Sequence, residues 1–451
     1  MVAAHFPLTR HSLELHQELH ARPALPARSP CVVSYWIQHG MAGEVADAAL
    51  LQLCRSVGAA EPMPGVRHAR VQGPQWQLKF ERHGEFVSWQ VNRPLDLQPL
   101  QGDEPLQRQQ LQAIDALQEL PAAFLQCLAG PDAGQMLAAA HVLLLDARHE
   151  EGAATRLARL LRGASSQGDD SAALMGATIG DGRSAALLTP LQLGADGFTR
   201  YYVLDFDLPP DQAAREAQRL CEIEAYRMLA MLGFPLAQQE AQRLGALEQE
   251  LQTAVDAMSQ AGAGGDDSQA FAALTRLAAE AEHAAARTRY RFSATRAYHA
   301  IVQQRLADLR EQRMPGVQTL GGFLARRFAP AMAFVVSTER RLSDLGERVN
   351  RALALARVRI EAQREQHNQE LLRLQAERQH EQLRLQRTVE GLSVVAISYY
   401  ALGLVGYMAK ALQKLPGLPA WVPGADALVA VAVLPVLAMV AWGLRSLRRH
   451  A

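Results

Sequence analysis

Residues 391–409 contain no charged side chain. At 1.5 Å rise per residue a helix of that length spans roughly 29 Å, the thickness of a bilayer's hydrocarbon core. A second uncharged run, 427–444, is closed by Arg445, Arg448 and Arg449. Two such runs leave two choices: buried helices of a large soluble core, or two membrane-spanning helices. Their length beside a basic end favours the second. Pro435 is tolerable in such a helix because neighbouring groups re-satisfy the freed backbone. The connection 410–426 holds Pro416, Pro419 and Pro423, so it reads as a short extracytoplasmic loop. Arg384, Arg387, Arg445, Arg448 and Arg449 flank one side, against Lys410 and Lys414 on the other. The positive-inside rule then predicts both termini in the cytoplasm, with 445–451 a basic cytosolic tail. Glu390 and Asp426 fall at the two edges, where charges usually serve as anchors.

The rest of the chain carries no membrane signal. Residues 1–15 lack a continuous apolar stretch, so no secretory signal is expected and the bulk is expected to stay in the cytosol. With 46 basic and 46 acidic residues the formal net charge is zero, which argues against a nucleic acid partner. Cys31, Cys54, Cys127 and Cys221 lie far apart, without a C-x-x-C pair. They read as reduced thiols and not as a disulfide framework or a zinc site.

Segments 31–37, 75–83, 85–92, 141–146, 184–193 and 198–208 read as strands, with a hairpin at Gly84. Segments 42–57 and 105–129 read as helices, making 1–208 a cytosolic α/β or α+β domain. After Pro209-Pro210 the text turns helical: 211–232, 236–260, a Gly-rich break at 261–267, then 268–313, ended by Pro315-Gly316. This gives a helical domain at 209–330. From 331 to 390 there is no Pro and only Gly346, predicting a stalk helix roughly 90 Å long that runs directly into the first apolar span.

The segments Glu18-Leu-His-Ala-Arg-Pro23, Phe80-Glu-Arg-His-Gly-Glu-Phe86, Ile223-Glu-Ala-Tyr-Arg-Met228, Tyr290-Arg-Phe-Ser-Ala-Thr-Arg296 and Thr388-Val-Glu-Gly-Leu392 resemble a family of uncharacterised bacterial membrane-anchored proteins (domain of unknown function 3422). The resemblance covers nearly the whole chain and implies a multi-pass protein of the bacterial inner (plasma) membrane, without supplying chemistry. The order of parts is also similar to the CorA-type magnesium channels. Their Gly-Met-Asn motif is absent here: the corresponding place reads Gly406-Tyr407-Met408-Ala409. Only an analogy of layout remains.

One stripe recurs at alternating three- and four-residue steps on the stalk and the first span. It includes Gln375, Gln379, Gln382, Gln386, Ser393, Tyr400 and Tyr407. Seven-residue spacing keeps such a face towards a common axis when helices supercoil. Amides and hydroxyls there suit the lining of a wet pore. The alternative is a solvated face that becomes a small-residue packing face in the bilayer. Glu224 falls on the apolar face of its helix and needs a buried partner. An arginine of a second helix, Arg291 or Arg296, is the expected one, and an anion site the sharper alternative. The group His20, Arg22, Glu81, Arg82, His83 and Glu85 reads as a metal or proton-transfer cluster, or as a salt-bridge network without diagnostic spacing. The glycines of 176–184 lack the Gly-Lys-Ser/Thr ending of a phosphate loop and read as a turn.

No hydrolase or metalloprotease motif is present, so neither an enzyme nor a cofactor is expected. The expected function is a homo-oligomer in the lipid bilayer with a cytosolic sensing or binding domain, acting as a CorA-like conduit for ions. The alternative is a non-conducting tether or scaffold.

Overall fold

The computed structural model describes residues 24–96, 104–162, 174–260, 268–412 and 424–450. The chain divides into two units. One comprises residues up to 256 together with 272–352; the other comprises 257–271 and the residues from 353 onward.

The first unit opens with β1 (Cys31–His39), α1 (Gly43–Val57), the meander β2 (His68–Gln72), β3 (Gln77–Arg82) and β4 (Phe86–Pro94), then α2 (Glu104–Ala113) and α3 (Ala122–Leu128). A second half repeats that order: β5 (Gln135–Asp146), α4 (Ala153–Arg162), the meander β6 (Met175–Ile179), β7 (Ala185–Thr189) and β8 (Thr199–Asp205), then α5 (Pro210–Met231). The helices α6 (Gly233–Gln260) and α7 (Ser268–Asp308) follow, then the short edge strand β9 (Gln312–Arg313), α8 (Leu320–Arg327), α9 (Ala329–Leu412) and α10 (Ala425–His450).

The strands form one mixed sheet in the order β2-β3-β4-β1-β5-β8-β7-β6-β9. In each half the first strand pairs with the last strand of its own meander, antiparallel for β1 with β4 and parallel for β5 with β8. Period-two alternation gives the sheet two buried faces. Val32 and Trp36 of β1 join Trp89, Leu143 and Tyr202 in a core covered by α1, α3 and α4. Val33, Tyr35 and Ile37 join Val142, Tyr201 and Val203 in a second core, covered by α5, α8 and the end of α7. Beyond the sheet, α6, α7 and the start of α9 pack through Ala237, Leu244, Ala284, Phe292, Val335 and Leu342.

Several boundaries differ from the sequence reading for local reasons. The expected helix 105–129 is broken: the Asp115 carboxylate takes the N–H groups of Leu117 and Gln118, and α3 starts only after Pro121. Pro330 sits in the first turn of α9, where no hydrogen bond is lost, so the helix starts before it. Gly180 and Gly182 have φ of 78° and 66° in the β6–β7 connection, which is the expected turn.

In the second unit α9 continues without a break to Leu412. From 361 to 389 every residue except Gln363 is exposed. Two helical segments, Leu320–Ala411 and Ala425–Gly443, are long and apolar enough to cross a membrane, with window mean hydropathies of 1.6 and 2.2. Those windows are only 11% and 6% buried, unlike the core helices of a soluble protein. Gly406 lies against Val429, and Ser398, Ala409 and Ala425 are buried. The expected loop at 413–423 lies outside the described residues.

Candidate functional site

A sheet normally turns apolar side chains towards a covering layer. The β2–β4 corner does so on one face only. There Val87, Trp89, Val91, Leu78, Phe80 and Val71 are buried. On the other face the register lines up Ser88, Glu81 and His68; then Gln90, Lys79 and Arg70; then Asn92, Gln77 and Gln72. All nine positions are polar, whereas the same rows continue onto β1 as Ile37, Tyr35 and Val33. Ser88, Gln90, Asn92 and Lys79 are only 2–5% exposed.

Buried polar groups require partners. Lys79 Nζ lies 3.0 Å from Glu81 Oε1. Gln90 Nε2 donates to Asn92 Oδ1 at 2.9 Å, and Asn92 Nδ2 donates to the Pro26 carbonyl at 3.0 Å. Beside them burial pushes the Tyr35 hydroxyl well above its usual pKa. Only three residues of the chain are lysine, at 79, 410 and 414; every other basic side chain is arginine or histidine. The single lysine of the sheet unit therefore sits in this block.

The neighbouring hairpin tip joins the sheet to two helices. Arg291 of α7 donates to Glu85 at 2.8 Å, and His39 Nε2 lies 3.9 Å from the same carboxylate. The hydrogen bond to Glu85 also raises the Tyr290 pKa. Phe86 meets Tyr226 of α5 edge-on at 6.3 Å, and Tyr226 stacks on Tyr298 of α7 at 5.6 Å. Burial raises the Tyr298 pKa to about 12.

The expected partner of Glu224 changes. Glu224 is buried, but Arg227 pairs with it at 2.7 Å, because i,i+3 spacing puts the two on one side of α5. Tyr201 and Thr199 of β8 donate to its two oxygens at 2.8 and 3.0 Å. Arg291 is taken by Glu85, and Arg296 pairs with Glu339 of α9. The ion pair between α5 and α7 runs instead from Arg305 to Glu222. The sequence cluster at 81–85 is likewise divided. Glu81 belongs to Lys79, Arg82 reaches Asp47 on the opposite face, and Glu85 belongs to Arg291. His20 and Arg22 lie outside the described residues. Among the described residues no group of three His, Cys, Asp or Glu is placed to hold a metal ion.

A polar line that the sequence did not reveal crosses the sheet. Ser34 Oγ accepts the Ala116 N–H at 2.9 Å and shares a hydrogen bond of 2.8 Å with His141 Nδ1. The other ring nitrogen, Nε2, lies 3.5 Å from Asp196 Oδ2, an electrostatic contact too long for a good hydrogen bond. Arg200 and the Phe198 N–H hold Asp196 in turn. Burial, helped by Arg200, pushes the His141 pKa down to about 4, so the ring is neutral near pH 7. These are the residue types of a hydrolase triad. Ser34 and His141 are fully buried, however, and no substrate carbonyl reaches the hydroxyl. The line is an internal strut.

The family model described as protein of unknown function, DUF3422, matches residues 9–451. The chain belongs to this family. No curated protein matches it. Among solved structures, the full-length CmaX protein is similar over 69% of this chain and 89% of its own, at 14% identity. The TM-score of 0.19 carries no argument about fold or function. Three of the segments that resemble DUF3422 meet in space at the hairpin tip, through Glu85, Phe86, Tyr226, Tyr290 and Arg291. The stripe residues of this DUF3422 chain all lie on α9. Gln375, Gln379, Gln382, Gln386, Tyr400 and Tyr407 are exposed, and Ser393, partly covered, donates to the Val389 carbonyl.

Proposed function

We propose that the protein is a membrane-anchored homo-oligomer of the plasma membrane. The apolar segments of α9 and α10 form a hairpin in the bilayer, and both termini are cytoplasmic. The preceding part of α9 is the stalk, and stalks of neighbouring copies surround a common axis. The sheet unit is a cytosolic binding module. In its stronger form the axis is a CorA-like conduit for ions, lined by Gln375, Gln379, Gln382, Gln386, Ser393, Tyr400 and Tyr407.

The observation that carries this reading is the uncovered helix. Leu371, Leu372, Leu374, Leu383 and Leu385 are exposed on a stretch with no covering layer among the described residues. Full burial of one leucine is worth about 1.5–3 kcal/mol, so copies that covered this surface would gain a large association energy. Light scattering of the detergent-solubilised protein, corrected for detergent, is expected to give four to six copies. Reconstituted liposomes are then expected to pass cations faster than empty vesicles. Flux no greater than the empty-vesicle value, across several cations, defeats the conduit.

A second reading, the non-conducting tether or scaffold, rests on the helix supporting itself. Arg357–Glu361 and Arg373–Glu377 pair at i,i+4, and Gln386 donates to Glu390. Such pairs stabilise a solitary solvated helix. In this reading, replacing Gln379, Gln382 and Gln386 together by Leu leaves function intact. In the conduit reading the same change blocks flux.

A further inference from the structure

A cavity of about 750 Å³ opens at the lower row of the polar block. Gln72, Gln77 and Asn92 contribute its sheet side, and the chain from Pro26 to Cys31 and the β2–β3 turn contribute its walls. Its volume is that of a site for a small organic molecule. Among the described residues the lining holds two arginines, Arg28 and Arg93, and no carboxylate, in a chain whose acids and bases are equal in number. The groove between α7 and α9, of similar size, differs: its charges are mixed, with Glu282 and Glu347 beside Arg289 and Arg340.

The two arginines are in different states. Arg93 is anchored, donating to the Asp115 carbonyl at 2.9 Å with Glu119 at 3.6 Å. The Arg28 side chain is exposed and makes no hydrogen bond or ion pair among the described residues. Among the described residues Gln75 and Gln77 also have no side-chain partner, while the Gln72 amide N–H is spent on the Gly73 and Trp76 carbonyls. Pro210, the first residue of the 22-residue helix α5, closes one side, adding the positive end of a helix dipole.

We infer that this cavity binds a small organic oxyanion, a phosphate or carboxylate borne on a hydroxyl-rich body. Arg28 takes the charged group in a planar, two-pronged contact. Arg93 and the α5 terminus supply positive potential without a contact of their own. The amides of Gln75 and Gln77 donate to and accept from hydroxyls. The inference deepens the proposed binding module by naming its ligand chemistry. It does not depend on the chain's conducting ions or on its number of copies.

The test is equilibrium binding to the full-length protein in a neutral detergent. The probes are ribose 5-phosphate, citrate and glycerol 3-phosphate, with ribose as the uncharged control. At least one anion is expected to bind one per chain below 1 mM, weakening as salt rises, while ribose does not bind. Arg28→Gln is expected to weaken that binding at least tenfold without lowering the unfolding temperature, because the side chain is exposed and pairs with none of the described residues. Arg340→Gln, in the other groove, is expected to leave it unchanged. Binding confined to glycerol 3-phosphate identifies a lipid headgroup as the source; binding of ribose 5-phosphate or citrate identifies a soluble metabolite. If no anion binds below 1 mM, or if Arg28→Gln binds as the wild type does, the inference is wrong. Anion binding by a protein whose flux is no greater than that of empty vesicles defeats the conduit and leaves the site standing.

Discussion

His141 makes the sheet unit sensitive to acid in a way that follows from its surroundings. Burial comes first among the causes that depress its pKa to about 4, with Arg200 second; Asp196 and Asp115 oppose them. In the unfolded chain the ring titrates near 6.5. The folded state therefore binds fewer protons than the unfolded state, and stability falls as the pH drops from about 6.5 towards about 4, then levels off. At pH 5 nearly every unfolded ring is charged, whereas about one folded ring in ten is. Linkage gives a loss of about 2 kcal/mol between pH 7 and pH 5 from this one residue. Urea unfolding followed by tryptophan fluorescence reads it, because Trp36 and Trp89 lie in the core on the same face as His141. His141→Gln is less stable throughout, but its stability is expected to change about 2 kcal/mol less over that pH range. Parallel pH profiles for wild type and variant would refute the assignment of a neutral, desolvated ring.

Other perturbations have equally direct readouts. Glu224→Gln removes the carboxylate that Arg227, Tyr201 and Thr199 share, leaving a half-buried guanidinium without its counter-charge, and is expected to cost about 3 kcal/mol in the same urea assay. Trp89→Ala empties a fully buried site between Phe80 and Phe124 and is expected to cost about 3–5 kcal/mol. Gly134 has φ of 72°, and an added Cβ would lie 2.5 Å from the His39 carbonyl oxygen, so Gly134→Ala is expected to lower the melting temperature by several degrees. Glu85→Gln weakens the link from hairpin tip to α7, and hydrogen exchange at β3 and β4 is expected to quicken while that at β8 stays slow.

The sequence made some of this architecture legible. Strands β1, β3, β4 and β8 show themselves as apolar or alternating runs, and the long helices by the absence of breakers. Strand β2 did not, because its face towards the polar block is polar at His68, Arg70 and Gln72, leaving only Ala69 and Val71 as apolar signal. The polar block itself is invisible in one dimension: Arg70, Lys79 and Gln90 become neighbours only through strand register. Glu224 was readable as buried, since it lies on an apolar helical face. Its partner was not, because Arg227 and several α7 arginines satisfy the same requirement and only side-chain geometry selects between them. The Ser34–His141–Asp196 line left no local pattern at all, its members lying 107 and 55 residues apart. A serine and a histidine facing each other in paired strands carry no marker until the pairing is known.

The confinement of lysine to the sheet corner and the far end of the chain has a practical consequence. Ahead of Lys410 there is a single place where a lysine-specific protease can cut, after Lys79, and that bond lies in the central strand of the β2–β4 meander. With the side chain almost wholly covered, the native protein offers no substrate there. Each cut at that bond then records one opening of the corner, so the cleavage rate is a one-site clock for the motion of this edge of the sheet. A ligand held in the adjoining cavity would slow that clock before it changed any global melting temperature.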